Sequence, residues 1–193
     1  MEKVYIILTH TGTVLSKIIK RYTKDEYSHI SIALDRDLNY MYSFGRLHPY
    51  NAFIGGFVHE QIDKGTFKRF KNTKAAVYSM LVTDEQYRDI VDIIRKVEIN
   101  KNRYHFNILG LFAVGFHKKI KKNYSFYCAE FVRYVLNEAN VEVELPELIK
   151  PEDFKYLDNI NCIYKGYLRK YNKETPISIL SLAELLRRKS YVG

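Results

Sequence analysis

The sequence lacks most of the features from which a structural framework or a cofactor site is usually inferred. It has only two cysteines, Cys128 and Cys162, which cannot form a disulfide scaffold and belong to neither a CxxC pair nor a zinc-finger spacing. It also has no HExxH, EF-hand, GxGxxG or Walker motif. We therefore expect neither a metal site nor a bound cofactor, so any catalytic or binding groups must be individual side chains.

Long apolar runs are also missing. The apolar stretch within residues 1–10 is far too short for a signal peptide or a membrane span. We therefore expect a protein of the reducing cytoplasm, with peripheral contact to a membrane as the open alternative.

Charge of one sign is in excess. Lysine and arginine number 31 against 22 acidic residues, for a net charge of +9, which favours an anionic partner such as nucleic acid, a phospholipid surface or an acidic small substrate. The densest basic run, residues 117–122, is more typical of solvated lysines before a helix than of a phosphate site. The 17 tyrosines are scattered without the paired pattern of an RNA-binding sheet, so nucleic acid is not expected.

A hydrophobic fraction of 47% in 193 residues is enough for one packed domain. Alternating and apolar segments predict strands, and apolar residues at helical spacing predict helices, one of them opened by a capping box at Thr83 and Gln86. Residues 45–61, with Pro49 and a glycine pair, suggest a long functional loop. Strands are predicted over residues 4–9, 27–35, 39–44, 65–70, 75–82 and 161–168. Helices are predicted to begin after residues 11–13 and after residue 83, and to cover residues 125–140 and 179–189. Residues 107–116 are predicted as a short helix or packed segment.

Cys128 is the best candidate for a nucleophile. It lies where the helix over residues 125–140 begins, with Ser125 as a plausible cap, and free N–H groups there favour a thiolate and an oxyanion. The competing interpretation is an inert core cysteine, because Cys128 shares a helical face with buried valines. The best-placed base is His29, on the side of its strand that carries Ser31 and other small residues, with His10 as the second candidate.

Three blocks of residues, in this order, resemble the circularly permuted papain-like cysteine hydrolases of the YiiX type, which are relatives of the NlpC cell-wall peptidases. In such enzymes the histidine precedes the cysteine, as it does here. The resemblance spans roughly residues 3 to 140, and its blocks are residues 9–19, residues 27–32 around His29, and residues 126–132 around Cys128.

The resemblance implies an α+β, papain-like fold in which a curved antiparallel sheet packs against the nucleophile helix. Residues 1–193 would form one domain, with residues 160–193 as a C-terminal extension of uncertain role. Cys128 would attack a carbonyl and His29 would shuttle its proton. The residue that orients the histidine normally lies on the next strand, where Ser43 is the nearest match. The residues expected to contact the substrate are His10, Tyr27, Tyr127 and His48.

Three functions remain open at this point. The first is cleavage of an amide bond in a peptide or peptidoglycan fragment. The second is hydrolysis or transfer of a lipid acyl group, as in permuted relatives that resemble lecithin–retinol acyltransferase; the apolar residues 53–57 and the basic charge suit an anionic lipid surface. The third is a binding module with weak catalysis, suggested by the absence of an acidic residue at the orienting position.

Overall fold

The computed structural model describes residues 1–13, 25–48, 51–107 and 124–171, apart from the side chains of residues 51–53. These segments form an α+β structure built on an antiparallel sheet. Short 3₁₀ turns lie at Lys101–Arg103, Pro151–Tyr156 and Leu168–Lys170. The strands are β1 (Glu2–His10), β2 (His29–Ala33), β3 (Met41–His48), β4 (Asn51–Glu60), β5 (Lys74–Val82), β6 (His105–Phe106), β7 (Ser125–Phe126) and β8 (Ile160–Tyr167); the helices are α1 (Gly65–Arg69), α2 (Asp84–Ile99) and α3 (Cys128–Glu138).

Six strands form the main sheet in the order β4-β3-β2-β1-β5-β8, and every neighbouring pair is antiparallel. The apolar strand β1 lies inside the sheet because both of its faces are buried. Val4, Ile6 and Leu8 face one hydrophobic core, whereas Tyr5 and Ile7 face the other. The short strands β6 and β7 form a separate parallel pair.

The larger core lies between the sheet and helices α2 and α3. Helix α2 begins with the predicted capping box, in which Thr83 and Gln86 satisfy each other's backbone N–H groups. Helix α3 buries an apolar stripe that includes Phe131 and Val135, and it packs on β2 and β3. This packing holds α3, and with it Cys128, against β2 and β3.

The smaller core lies on the opposite face, where Phe67 of α1 and Leu168 pack beneath the sheet. The late strand predicted at residues 161–168 is confirmed as β8, which pairs with β5 at the edge of the sheet. Residues 160–167 therefore form an edge strand of the main sheet.

Two sequence predictions are wrong in this half of the chain. Residues 45–61, predicted as a loop, form most of the β3–β4 hairpin, and residues 65–70, predicted as a strand, begin with helix α1. The glycines obscured the strand pattern for a physical reason. Gly55 has no side chain because the ring of Phe106 and the carbonyl oxygen of Gly45 would lie 2.6 and 2.8 Å from its Cβ.

Other boundaries shift by a few residues. Strand β3 begins at Met41 and β2 ends at Ala33, and their antiparallel pairing matches the prediction. The helix predicted over residues 125–140 begins at Cys128, because Ser125 belongs to β7 and therefore is not its cap. The predictions for residues 14–22, 108–116, 117–122 and 179–189 lie outside the described residues.

In the part of the chain that the structure describes, no helix combines the length and apolarity needed to cross a membrane.

Candidate active site

Cys128 is the first residue of helix α3. The helix begins there because Tyr127 has an extended backbone and donates its N–H to the carboxylate of Glu130 at 3.1 Å. Glu130 thus has the local structural role expected of a residue two positions beyond Cys128 on the helix. The thiol lies beside the first-turn N–H groups, which have no acceptor within the helix itself and can bind an anion. Cys128 is 3% exposed.

His29 is the first residue of β2. It pairs with Thr9 of β1, and the strand register places Gly45 of β3 on its other side. A Cβ on Gly45 would lie 3.2 Å from His29 Cε1, so the missing side chain makes room for the imidazole. The structure brings His29 close enough to Cys128, which lies 99 residues later in the sequence, for the thiol to act on the pKa of the imidazole.

Glu60, the last residue of β4, holds the other side of the imidazole. His29 Nε2 donates to Glu60 Oε1 at 3.0 Å, and Ser31 Oγ donates to Glu60 Oε2 at 2.5 Å. The side chains of His29 and Glu60 are 20% and 10% exposed. Because Nε2 is engaged by the carboxylate, Nδ1 is the ring nitrogen available to the thiol of Cys128. The imidazole of His29 is therefore hydrogen-bonded to Glu60 and lies near Cys128.

The electrostatics of this cluster favour a charged imidazole. Burial lowers the pKa of His29, but the charge of Glu60 and the hydrogen bonds to Cys128 and Glu60 outweigh burial and raise that pKa to about 10. At neutral pH the imidazole is therefore protonated.

Ser43 does not have the orienting role predicted for it. Its hydroxyl donates to the carbonyl oxygen of Ile30 at 2.7 Å inside the core, which ties β3 to β2. Glu60 is not among the residues predicted from the sequence, because residues 45–61 are predicted as a loop. A prediction of strand β4 would have pointed to Glu60, whose carboxylate lies at the end of β4; β4 pairs with β3, and β3 pairs with the strand that carries His29.

The four residues predicted to contact substrate fall into two groups. Tyr27 and Tyr127 are each 3% exposed, as Cys128 is, and belong to the larger core; their contact with substrate stays a prediction. The hydroxyl of Tyr127 donates to Ile149 O at 2.8 Å, and the backbone N–H of Tyr27 donates to Glu152. Burial raises the pKa of both tyrosines well above the ordinary range.

The other two lie near the surface at the strand ends. His10 follows Thr9 at the end of β1, and its Nδ1 lies 3.3 Å from Ser28 Oγ, next to His29. His48 is exposed at the end of β3, opposite Asn51. His10 thus remains a candidate for substrate contact beside the dyad, and His48 lies at the outer end of the hairpin.

Thr9 adds a polar atom beside the histidine. It pairs with His29 across the β1–β2 ladder, is fully buried, and its Oγ1 is the one buried side-chain nitrogen or oxygen in the described segments that lacks a hydrogen-bond partner. The described residues contain no group of three or more His, Cys, Asp or Glu side chains arranged to hold a metal ion.

Comparison with known proteins gives a fold likeness. No protein-family profile matches the chain, and no curated protein matches it. Among solved structures, the chain is similar to the crystal structure of the metalloprotein yiiX from Escherichia coli O157:H7. The TM-score is 0.52 at 13% identity, and the match covers 86% of this chain and 98% of that one. At this identity the likeness shows a YiiX-like fold.

Proposed function

We propose that this protein is a cysteine hydrolase of circularly permuted papain-like type that cleaves an amide bond. Cys128 is the nucleophile, His29 the general acid and base, and Glu60 the positioning residue. The observation that supports this most directly is that His29 is hydrogen-bonded to Glu60 and lies near Cys128, the first residue of a helix. Nucleophile, base and orienting group in hydrogen-bond reach are the parts that thiol catalysis requires.

The reaction follows from these parts. The Cys128 thiolate attacks the carbonyl carbon and forms a C–S bond, while the carbonyl oxygen takes the negative charge and is held by N–H groups at the start of α3. The C–N bond then breaks, and His29 gives its proton to the leaving amine. Water attacks the resulting thioester, His29 takes a proton from that water, and the C–S bond breaks to release the acid and the thiolate.

Glu60 supports full catalysis over the weakly active binding module. That alternative rests on the absence, in the sequence, of an acidic residue at the position expected to orient His29. The carboxylate at 3.0 Å from Nε2 supplies the missing group, and it stabilises the imidazolium more strongly than a serine hydroxyl. We place the protein in the reducing cytoplasm, which keeps Cys128 as a thiol.

A lipid acyl substrate is the second candidate. Leu47 and Ile54 lie on the β3–β4 hairpin and are 49% and 48% exposed, as an apolar contact with acyl chains would require. The substrate proposed first is a peptide or peptidoglycan-type fragment, whose amide bond fits the same dyad. The metal that the name of the yiiX structure implies is not carried over, because the described residues lack a matching ligand cluster.

Alkylation of Cys128 tests the proposed dyad. In a Cys162→Ser background, the rate of reaction with iodoacetamide is measured against pH, with the modified site identified by mass spectrometry. We expect Cys128 to react well below the pH at which a free thiol does, and His29→Ala to slow the reaction at neutral pH about a hundredfold or more. Cys128 and Cys162 reacting alike in the unmutated protein would refute the dyad.

Glu60→Gln tests the positioning role. Removing the negative charge destabilises the imidazolium, so the onset of Cys128 alkylation moves to higher pH. The matched control is Asp92→Asn, which removes an exposed carboxylate on α2 and leaves the onset in place. An unchanged profile in Glu60→Gln would contradict the role.

Paired substrates separate the two enzyme functions. Matched amide and ester substrates are offered with and without vesicles of anionic phospholipid. We expect amide cleavage that does not depend on vesicles. Ester cleavage only in the presence of vesicles would instead establish the lipid alternative.

A further inference from the structure

Arg46 is a half-buried cation next to the residue that packs on the imidazole. It follows Gly45 on β3, whose Cα lies against His29, and the charge of Glu60 acts on its guanidinium. The guanidinium carbon of Arg46 lies over the ring of Phe70, 5.7 Å from the ring centroid. Because a desolvated charge is costly without a partner, such an arginine is expected to be matched by a carboxylate.

No carboxylate of the described residues lies at ion-pair distance from Arg46. Its polar contacts there are from Nη2 to the hydroxyls of Thr11 at 3.4 Å and Thr13 at 3.2 Å, both just beyond the end of β1. The N–H groups of Nε and Nη1 have no acceptor among these residues. Burial lowers the pKa of Arg46, but the group remains charged at any physiological pH.

A small cleft of about 70 Å³ lies between this cation and the carboxylate of Glu60. Its lining includes Arg46, Glu60, Lys64 and Thr66. The negative charge of Glu60 is partly offset by the imidazolium of His29, so Arg46 and Lys64 give the cleft a positive balance. The volume suits a single small anionic group.

We propose that Arg46 is a specificity-determining residue that binds a carboxylate of the substrate beside the scissile bond. The inference rests on the proposed hydrolase function and adds the substrate class, an amide that carries a free carboxylate nearby. A singly charged, planar carboxylate fits the open guanidinium N–H groups, whereas a phosphate dianion would be repelled more strongly by Glu60.

Paired alkylating reagents test this preference without knowledge of the natural substrate. In the Cys162→Ser background, the rate of Cys128 modification is measured with iodoacetate and iodoacetamide, and with N-iodoacetylglycine and its amide, which carry the extra group farther from the reacting carbon. Each anionic-to-neutral rate ratio is divided by the ratio for free cysteine. We expect a ratio above that reference for at least one pair, reduced roughly tenfold by Arg46→Gln.

Arg95→Gln is the matched control, because it removes an exposed charge of the same kind on α2 and is expected to leave the ratio unchanged. Fast reaction with iodoacetamide but no anionic preference would overturn the Arg46 proposal and leave the hydrolase intact. Equal loss of preference in Arg46→Gln and Arg95→Gln would show a general charge effect and would also overturn it.

A second measurement does not depend on thiol reactivity. In the Cys128→Ala variant, the Arg46 Nε–H resonance is followed by NMR during titration with N-acetylglycine, its amide, and inorganic phosphate. We expect a saturable shift with N-acetylglycine alone. Saturation with phosphate but not N-acetylglycine, or no saturable shift at all, would overturn the carboxylate assignment even if Cys128 proved unreactive.

Discussion

The contact between His29 and Glu60 determines the charge state of the imidazole. Both side chains are largely buried, and burial alone would favour a neutral imidazole. The carboxylate reverses that preference, and Ser31 holds the carboxylate in place from the neighbouring position on the same face of β2. His29 therefore forms an ion pair with Glu60.

This ion pair predicts a pH dependence of stability that is clearest in Cys128→Ala, where no thiol can exchange a proton with the imidazole. With the thiol removed, the charge of Glu60 and its hydrogen bond still raise the native pKa of His29 above its value in the Glu60→Gln background, so the native state with Glu60 keeps a proton to higher pH. The stabilisation is complete below about pH 6.5. It is lost as the pH rises through the native pKa, with a slope of at most about 1.4 kcal/mol per pH unit.

The measurement is the free energy of unfolding in denaturant between pH 6 and 9. The double variant Cys128→Ala/Glu60→Gln is the control, since other titrating groups are common to both proteins and cancel in the difference. A difference that stays constant with pH would contradict the assigned ion pair.

At the level of elements, the β3–β4 hairpin determines the geometry of the site. Its first strand presents Gly45 to the imidazole, and its second ends with Glu60, so one hairpin supplies both the space and the carboxylate. The start of α3 supplies the thiol from the other side. A change at the hairpin should therefore affect Cys128 chemistry without contact with the thiol.

Gly45→Ala and Gly56→Ala test this. A Cβ at Gly45 would lie 3.2 Å from His29 Cε1, whereas a Cβ at Gly56 would meet only Leu47 carbons, starting at an ordinary 3.5 Å. We expect Gly45→Ala to displace the imidazole by a few tenths of an ångström and lower the rate of Cys128 alkylation roughly tenfold or more. Gly56→Ala should retain the rate, and both substitutions reduce the entropy of the unfolded chain similarly. Equal rates in the two variants would contradict the packing argument.

At the level of the whole molecule, an aromatic cluster joins the hairpin to α3. Phe44 is fully buried and packs against four rings from the hairpin, the helix and the segments before them: Phe57, Tyr104, Phe126 and Phe131. Phe44 is the residue before Gly45. The same core that stabilises the fold thus sets the distance between the sheet and the start of α3.

Phe44→Ala is expected to destabilise the protein by about 3–5 kcal/mol, because it removes a buried ring and leaves a cavity. Ile54→Ala is the control on the same hairpin, since Ile54 is 48% exposed and its loss should cost well under about 1 kcal/mol. Chemical denaturation followed by circular dichroism measures both. Similar midpoints for the two variants would refute the central position assigned to Phe44.

The sequence by itself determined the elements whose pattern is local. Apolar spacing identified β1, α2 and the helix that carries Cys128, and alternation identified β2 and the side of that strand on which His29 lies. The tertiary structure decided what those elements bring together. Glu60 reaches His29 across two strand pairings and 31 residues, and no local periodicity encodes such a contact.

The same reasoning explains the errors. Glycines that make room for His29 and Phe106 interrupt the alternation of β3 and β4, so the close packing that builds the site also obscured it in the sequence. Tyr27 and Tyr127 closely precede His29 and Cys128 in the chain, and both rings are buried in the larger core. Local pattern, a helix start for Cys128 and one face of a strand for His29, singled out the candidate pair, whereas non-local strand pairing brought in the carboxylate that holds the histidine.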